Sequence, residues 1–158
     1  MATINMEPKI LSAPRSVGRQ LTFAGSVASA VANRLLEPHG LTLAQWAVLS
    51  SIWRNGDLSV KEIAELTGNA PPAASRIVDR MVSGGLLVRQ QSDRDRRAVT
   101  VAASDKGDSL RHLAGMFEQV NDVLLADLDP EEVETLFTLL ARVEASGRAW
   151  LAATPTPP

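Results

Sequence analysis

A mainly α-helical fold with one small β-hairpin is predicted by three features of this 158-residue sequence. Capping signals open successive helices, glycines close them, and after Gly84-Gly85 helical periodicity gives way to short apolar and β-branched segments. Thr42 with Gln45, Ser59 with Glu62 and Asp129 with Glu132 have the spacing of capping boxes, and each is flanked by a hydrophobic staple: Leu41/Trp46, Leu58/Ile63 and Leu128/Val133. Pro130 stands at a first helical position, where a missing N–H costs nothing.

These signals predict helices over 15–38, 43–54, 60–67, 71–83, 105–128 and 130–152, with stops at Gly40, Gly56, Gly68 and Gly84-Gly85. Leu86 to Ser92 and Ala98 to Ala103 form the two arms of a hairpin with the polar tip Asp93-Arg94-Asp95-Arg96-Arg97. Apolar stripes at steps of three and four run through the first and the last two helices, as in Val17, Leu21, Ala24 and Ala28. Such stripes usually mean core. These helices are too long for the 43–103 unit to cover, so residues 15–38 and 105–153 are expected to be dimerisation helices. The competing reading is an internal core within one chain. Residues 41–104 form the compact lobe, 1–14 and 154–158 are tails, and the whole is a single-domain chain.

Composition excludes several classes. No cysteine is present, which removes disulfides, thiolate metal sites and thiol redox chemistry. Residues 1–20 carry Glu7, Lys9, Arg15 and Arg19 without a continuous apolar run, so no signal peptide is expected, and no span has the length of a membrane helix. A cytoplasmic location without membrane contact follows as the expectation. Only His39 and His112 are of the residue type that serves as a neutral-pH base, and neither a glycine-rich phosphate loop nor a metal-spaced cluster occurs, so neither catalysis nor a metal or other cofactor is expected. The net charge of −2 conceals an asymmetry: residues 71–101 set six arginines against three aspartates, whereas residues 105–153 set four cations against ten acids. A cationic middle beside an acidic arm suits a polyanion-binding head carried by a separate assembly surface.

Helix 60–67, a tight corner at Gly68-Asn69-Ala70 and helix 71–83 make a helix-turn-helix. The arginine-tipped hairpin that follows makes it a winged helix-turn-helix, flanked by the N- and C-terminal dimerisation helices. A groove-reading helix needs small residues at its start and long donors on one face. Pro72 or an adjacent alanine offers contact with a thymine methyl group, Ser75 and Arg76 offer donors to bases or phosphates, and Arg80 offers one to phosphate. The bland alternative makes Arg76 with Asp79 or Arg80 an ordinary surface pair. In the hairpin, Arg97 suits a narrow minor groove, Asp95 buttresses it, and Arg94 and Arg96 face flanking phosphates; the alternative is a solvated loop.

Residues 41–107 resemble the MarR family of bacterial transcriptional regulators. The matching elements are Leu41 to Leu49, Ser59 to Ala64, Ser75 to Met81, Gly85-Leu86-Leu87-Val88-Arg89, Asp93 to Arg97 and Asp105-Lys106-Gly107. Ser92-Asp93 stands where the family often has Asp-Pro, and Ser104 where threonine is usual; the lack of cysteine excludes its peroxide-sensing branch. The resemblance implies a homodimer with interlocked terminal helices, a recognition helix in the major groove, a wing at the minor groove and a palindromic double-stranded DNA operator. It also implies repression relieved by a small phenolic or carboxylate effector, mapped to Arg15, His39 and Trp46. Trp46 has a competing reading as a staple and core residue, and His39 as a helix C-terminal cation. A winged helix serving protein contacts is the alternative function.

Overall fold

The computed structural model describes residues 15–91 and 99–154. Its helices are α1 (Val17–Leu36), α2 (Leu43–Asn55), α3 (Val60–Thr67), α4 (Pro71–Ser83), α5 (Asp105–Asp108), α6 (Met116–Leu124) and α7 (Pro130–Ala153), with 3-10 turns at Glu37–His39 and Arg111–Gly115. Strands β1 (Leu87–Gln91) and β2 (Val99–Ala103) pair antiparallel, with Arg89 opposite Val101. Mainly α with one hairpin is therefore the fold class, as the sequence predicts.

The helix starts are set locally. In all three capping boxes the cap oxygen accepts from the N3 amide while the N3 side chain accepts from the cap amide, at distances of 2.7–3.3 Å. At the end of α3, Gly68 takes a left-handed conformation (φ 67°), which turns the chain within two residues into α4. Pro71 then opens α4, where its fixed φ suits the first turn.

One core lies among α2, α3, α4 and the base of the hairpin. Leu49, Ile63, Val78, Met81, Leu87 and Val101 are almost fully buried there. Leu58 joins it with a two-way backbone bridge to Val101, so the hairpin is tied to the α2–α3 connection as well as to α4. Leu36 from α1 and Leu113 and Met116 close the core from the other side.

The single helix expected over 105–128 is instead three pieces. The Ser104 hydroxyl accepts from the Gly107 amide and donates to the Gly85 carbonyl, and the Ser104 amide donates to the Leu86 carbonyl. These bonds seat the short α5 against the hairpin base. A 3-10 turn at Arg111–Gly115 then redirects the chain, and α6 stops at Leu124. Tertiary hydrogen bonds overrode the apolar spacing that reads as one helix.

The outer helices are the least covered. In α1 only Ala32 and Leu36 are buried, and α7 contributes no buried residue along its 24-residue length. Among the described residues no helix is long and apolar enough to cross a membrane.

Candidate nucleic-acid interface

Helix α4 has two contrasting faces. Ala74, Val78 and Met81 point into the core, whereas Pro72, Arg76, Asp79 and Arg80 are exposed; the two sets recur at the three- and four-residue steps of opposite helix faces. Ser75 sits at the boundary, half-buried. The Arg80 Nε donates to the Arg76 carbonyl at 3.2 Å, which lays that side chain back along the helix. Arg76 is exposed, and its guanidinium makes no hydrogen bond or ion pair among the described residues, which leaves its five donors available. The first turn of α4 offers no free amide beside Pro72, because Pro71 and Pro72 lack an N–H and the Ala73 and Ala74 amides donate to the Ala70 carbonyl.

Asp79 does not pair with either neighbouring arginine on α4. Its carboxylate accepts from Arg89 of β1, so the exposed face of the helix is linked to the hairpin. On the next residue, Gln90 donates to the Asp57 carboxylate in the α2–α3 connection. Lys106 adds a bond from its Nζ to the Gly84 carbonyl at 3.0 Å, at the root of β1. Arg94, Asp95, Arg96 and Arg97, expected from the sequence to be wing contacts and their buttress, lie outside the described residues.

Comparison with known proteins places this geometry. Residues 39–98 match the MarR family profile, a range that runs from before α2 through β1 and ends just before β2. The chain is 37% identical over 73 residues to the HTH-type transcriptional repressor MdtR of Bacillus subtilis, covering 46% of this chain and 47% of that protein. The aligned stretch thus spans about half the length of that curated relative. Over the longer range, a MarR variant from E. coli solved with operator DNA has a TM-score of 0.73 at 27% identity, over 80% of this chain and 91% of that one. A probable transcriptional regulator from Pseudomonas aeruginosa gives a TM-score of 0.72 at 28% identity, over 81% and 96%. Residues 39–98 thus carry the likeness to the MarR family, and the fold around them is similar to that of MarR-family regulators. MarR-family transcription regulators are DNA-binding proteins rather than enzymes, in agreement with the expectation of no catalysis.

The three residues mapped to an effector have different surroundings in the single chain. Arg15 precedes α1 at the end of a broad apolar groove of about 1040 Å³ between α1, α6 and α7. His39 ends the first 3-10 turn and packs edge-on against His112, with ring centroids 5.7 Å apart. Trp46 is half-buried, and its indole N–H donates to the Leu113 carbonyl at 2.8 Å. It packs against the core, as its staple position predicts, and also lines two cavities.

Those cavities hold residues that the sequence does not single out. One, of about 220 Å³, is an apolar slot between α1, α2 and α6. Its neighbour, of about 550 Å³, includes Arg54, whose guanidinium lies 5.3 Å from the centre of the Phe117 ring. Trp46 and Phe117 line both. Only the fold brings Arg54 and Phe117, 63 positions apart, together. A local signal existed for Arg89: a charged residue amid a short strand that begins with buried Leu87.

Proposed function

We propose that this protein is a sequence-specific double-stranded DNA-binding transcriptional regulator, acting as a repressor at a palindromic operator as a homodimer. The observation that carries the reading is α4 itself: a helix with one face in the core and the opposite face presenting Pro72, Arg76 and Arg80. Such a helix fits a major groove, where arginine addresses guanine by a two-pronged hydrogen bond and small residues meet thymine methyl groups. In this reading Ser75 donates at the groove edge, Arg94 and Arg96 contact phosphate, and Arg97, held by Asp95, enters the minor groove. The operator-bound MarR from E. coli supports the assignment.

A homodimer accounts for the uncovered outer helices. Phe137, Leu139, Leu140, Val143, Trp150 and Leu151 of α7 are 40–68% exposed in the single chain. A helix with this much apolar surface needs a partner, and terminal helices from a second copy supply a matching one. The acidic balance of residues 105–153 then lies in the assembly arm, away from DNA.

The decisive experiment titrates the protein against duplex from the promoter region of its own gene and against random duplex, at several salt concentrations. Specific binding should exceed random binding, with a steep salt dependence. Arg76→Ala should weaken specific binding by roughly 10- to 100-fold, the range for a lost arginine–base contact, and Arg97→Ala should weaken it comparably without lowering Tm. Salt-insensitive or absent binding to every duplex, with an acidic protein captured instead, is the result that sinks this reading and favours a protein-interaction module.

Control by a small aromatic or anionic ligand is supported by two neighbouring cavities that share Trp46 and Phe117. Phe117 and Trp46 offer ring stacking and Arg54 offers a cation, between the outer helices and the DNA-reading lobe. A ligand held there lowers operator affinity only to the extent that it prefers a dimer with the wrong spacing of recognition helices, which must match roughly 34 Å on B-DNA. Among phenolic and aromatic carboxylic acids, at least one should raise Tm and release operator, and Arg54→Ala should abolish both responses. A response unchanged in Arg54→Ala places the ligand elsewhere.

A further inference from the structure

Resting on the DNA-binding reading above, we propose that Asp79 and Asp57 are positioning residues that fix the hairpin to the recognition helix. They hold the hairpin's two faces at once, Asp79 through Arg89 and Asp57 through Gln90.

Asp79 is otherwise hard to explain. It lies on the same exposed face of α4 as Arg76 and Arg80, where a carboxylate repels the phosphates that those arginines attract. Its partner Arg89 comes from β1, ten residues away. Successive residues of a strand point to opposite faces of the sheet. Arg89 lies opposite buried Val101 and so shares the core-side face with Leu87, beyond the last core residue, where it meets α4. Gln90 points to the other face and meets Asp57, next to the Leu58 bridge. A two-stranded hairpin alone is marginal and twists easily. Side-chain bonds on both faces, from two different elements of the lobe, remove rotation about the strand axis that backbone pairing alone leaves. Arg89 is spent in this pair and is therefore not an additional phosphate contact.

The assignment makes a prediction opposite in sign to simple electrostatics. Removing the Asp79 charge should strengthen DNA binding if that charge only repels phosphate. If Asp79 positions the hairpin, Asp79→Ala should weaken specific binding by about two- to fivefold, the scale of an exposed ion pair. Random-duplex binding should fall less, and Asp79→Glu, which keeps the carboxylate, should restore most of the loss. Arg89→Ala should give a similar loss, and the double variant Asp79→Ala/Arg89→Ala no more than either single, since both remove one interaction. Amide hydrogen exchange over Leu87–Gln91 in the free protein should quicken in Asp79→Ala and in Asp57→Ala, with Tm nearly unchanged.

Tighter DNA binding by Asp79→Ala, additive losses in the double variant, or unchanged exchange in β1 each overturns the proposal. If the unaltered protein binds no duplex, the DNA-binding reading fails separately. The exchange measurement then still decides whether the two carboxylates hold the hairpin.

Discussion

Gly107→Ala should destabilise the protein by roughly 3 kcal/mol or more, at the severe end of overpacking substitutions. A Cβ built on Gly107 meets the Leu86 carbonyl oxygen at 2.2 Å and the Leu49 Cδ2 at 3.3 Å. The oxygen belongs to backbone and already accepts from the Ser104 amide, so it cannot withdraw without losing the contact that seats α5 on the hairpin. Leu49 is fully buried and has no room to yield. Thermal unfolding should show a fall in Tm of about 6–12 °C for a chain of this size, or no cooperative transition at all. Gly147→Ala is the control: in α7 the added methyl meets nothing within 4 Å, and alanine favours helix by roughly 0.5–1 kcal/mol. A Gly107→Ala protein with unaltered Tm means that the hairpin base and α5 are not packed as described.

Leu140→Arg should leave a folded lobe that no longer pairs. Leu140 sits on α7 in the broad groove against α1, 40% exposed in the single chain, so a charge there costs the isolated chain little. Across an interface of apolar helices it is an unpaired charge that must be desolvated, which costs several kcal/mol. Sedimentation should show the mass of one chain where the unaltered protein shows two. Operator affinity should fall by roughly 100-fold or more, because each half-site is then bound without the effective concentration that the second supplies. Single-chain mass with undiminished operator affinity removes the dimer from the mechanism; an unchanged dimer moves the interface off this groove.

The parts of this structure legible in the sequence are those decided within a few residues. Ser59 and Glu62, Thr42 and Gln45, and Asp129 and Glu132 satisfy one another across a single turn, so their spacing alone locates α3, α2 and α7. The same holds for the Gly68 corner and for the two-faced pattern of α4. The run from 105 to 128 misleads, because its apolar spacing fits a helix while Ser104 and Gly107 answer to Gly85 and Leu86, 19 and 21 positions earlier. Asp79 was open to an ordinary pairing with Arg76, which lies one helical turn away; the partner it has is on another element. Arg15, His39 and Trp46 were grouped through resemblance. In the single chain Arg15 borders the α1–α6–α7 groove and Trp46 the two cavities beside α2, a difference of placement that no local sequence signal marks.

The Leu58–Val101 bridge gives the small sheet a property beyond anchoring. It covers the outer side of β2 at Val101, while the outer edge of β1, which reads Leu-Val-Arg-Gln-Gln, has no strand partner among the described residues. Exposed edges recruit other chains into shared sheets unless they are short or charged, and this one is both. Edge-to-edge pairing of two copies through the hairpin is thereby disfavoured.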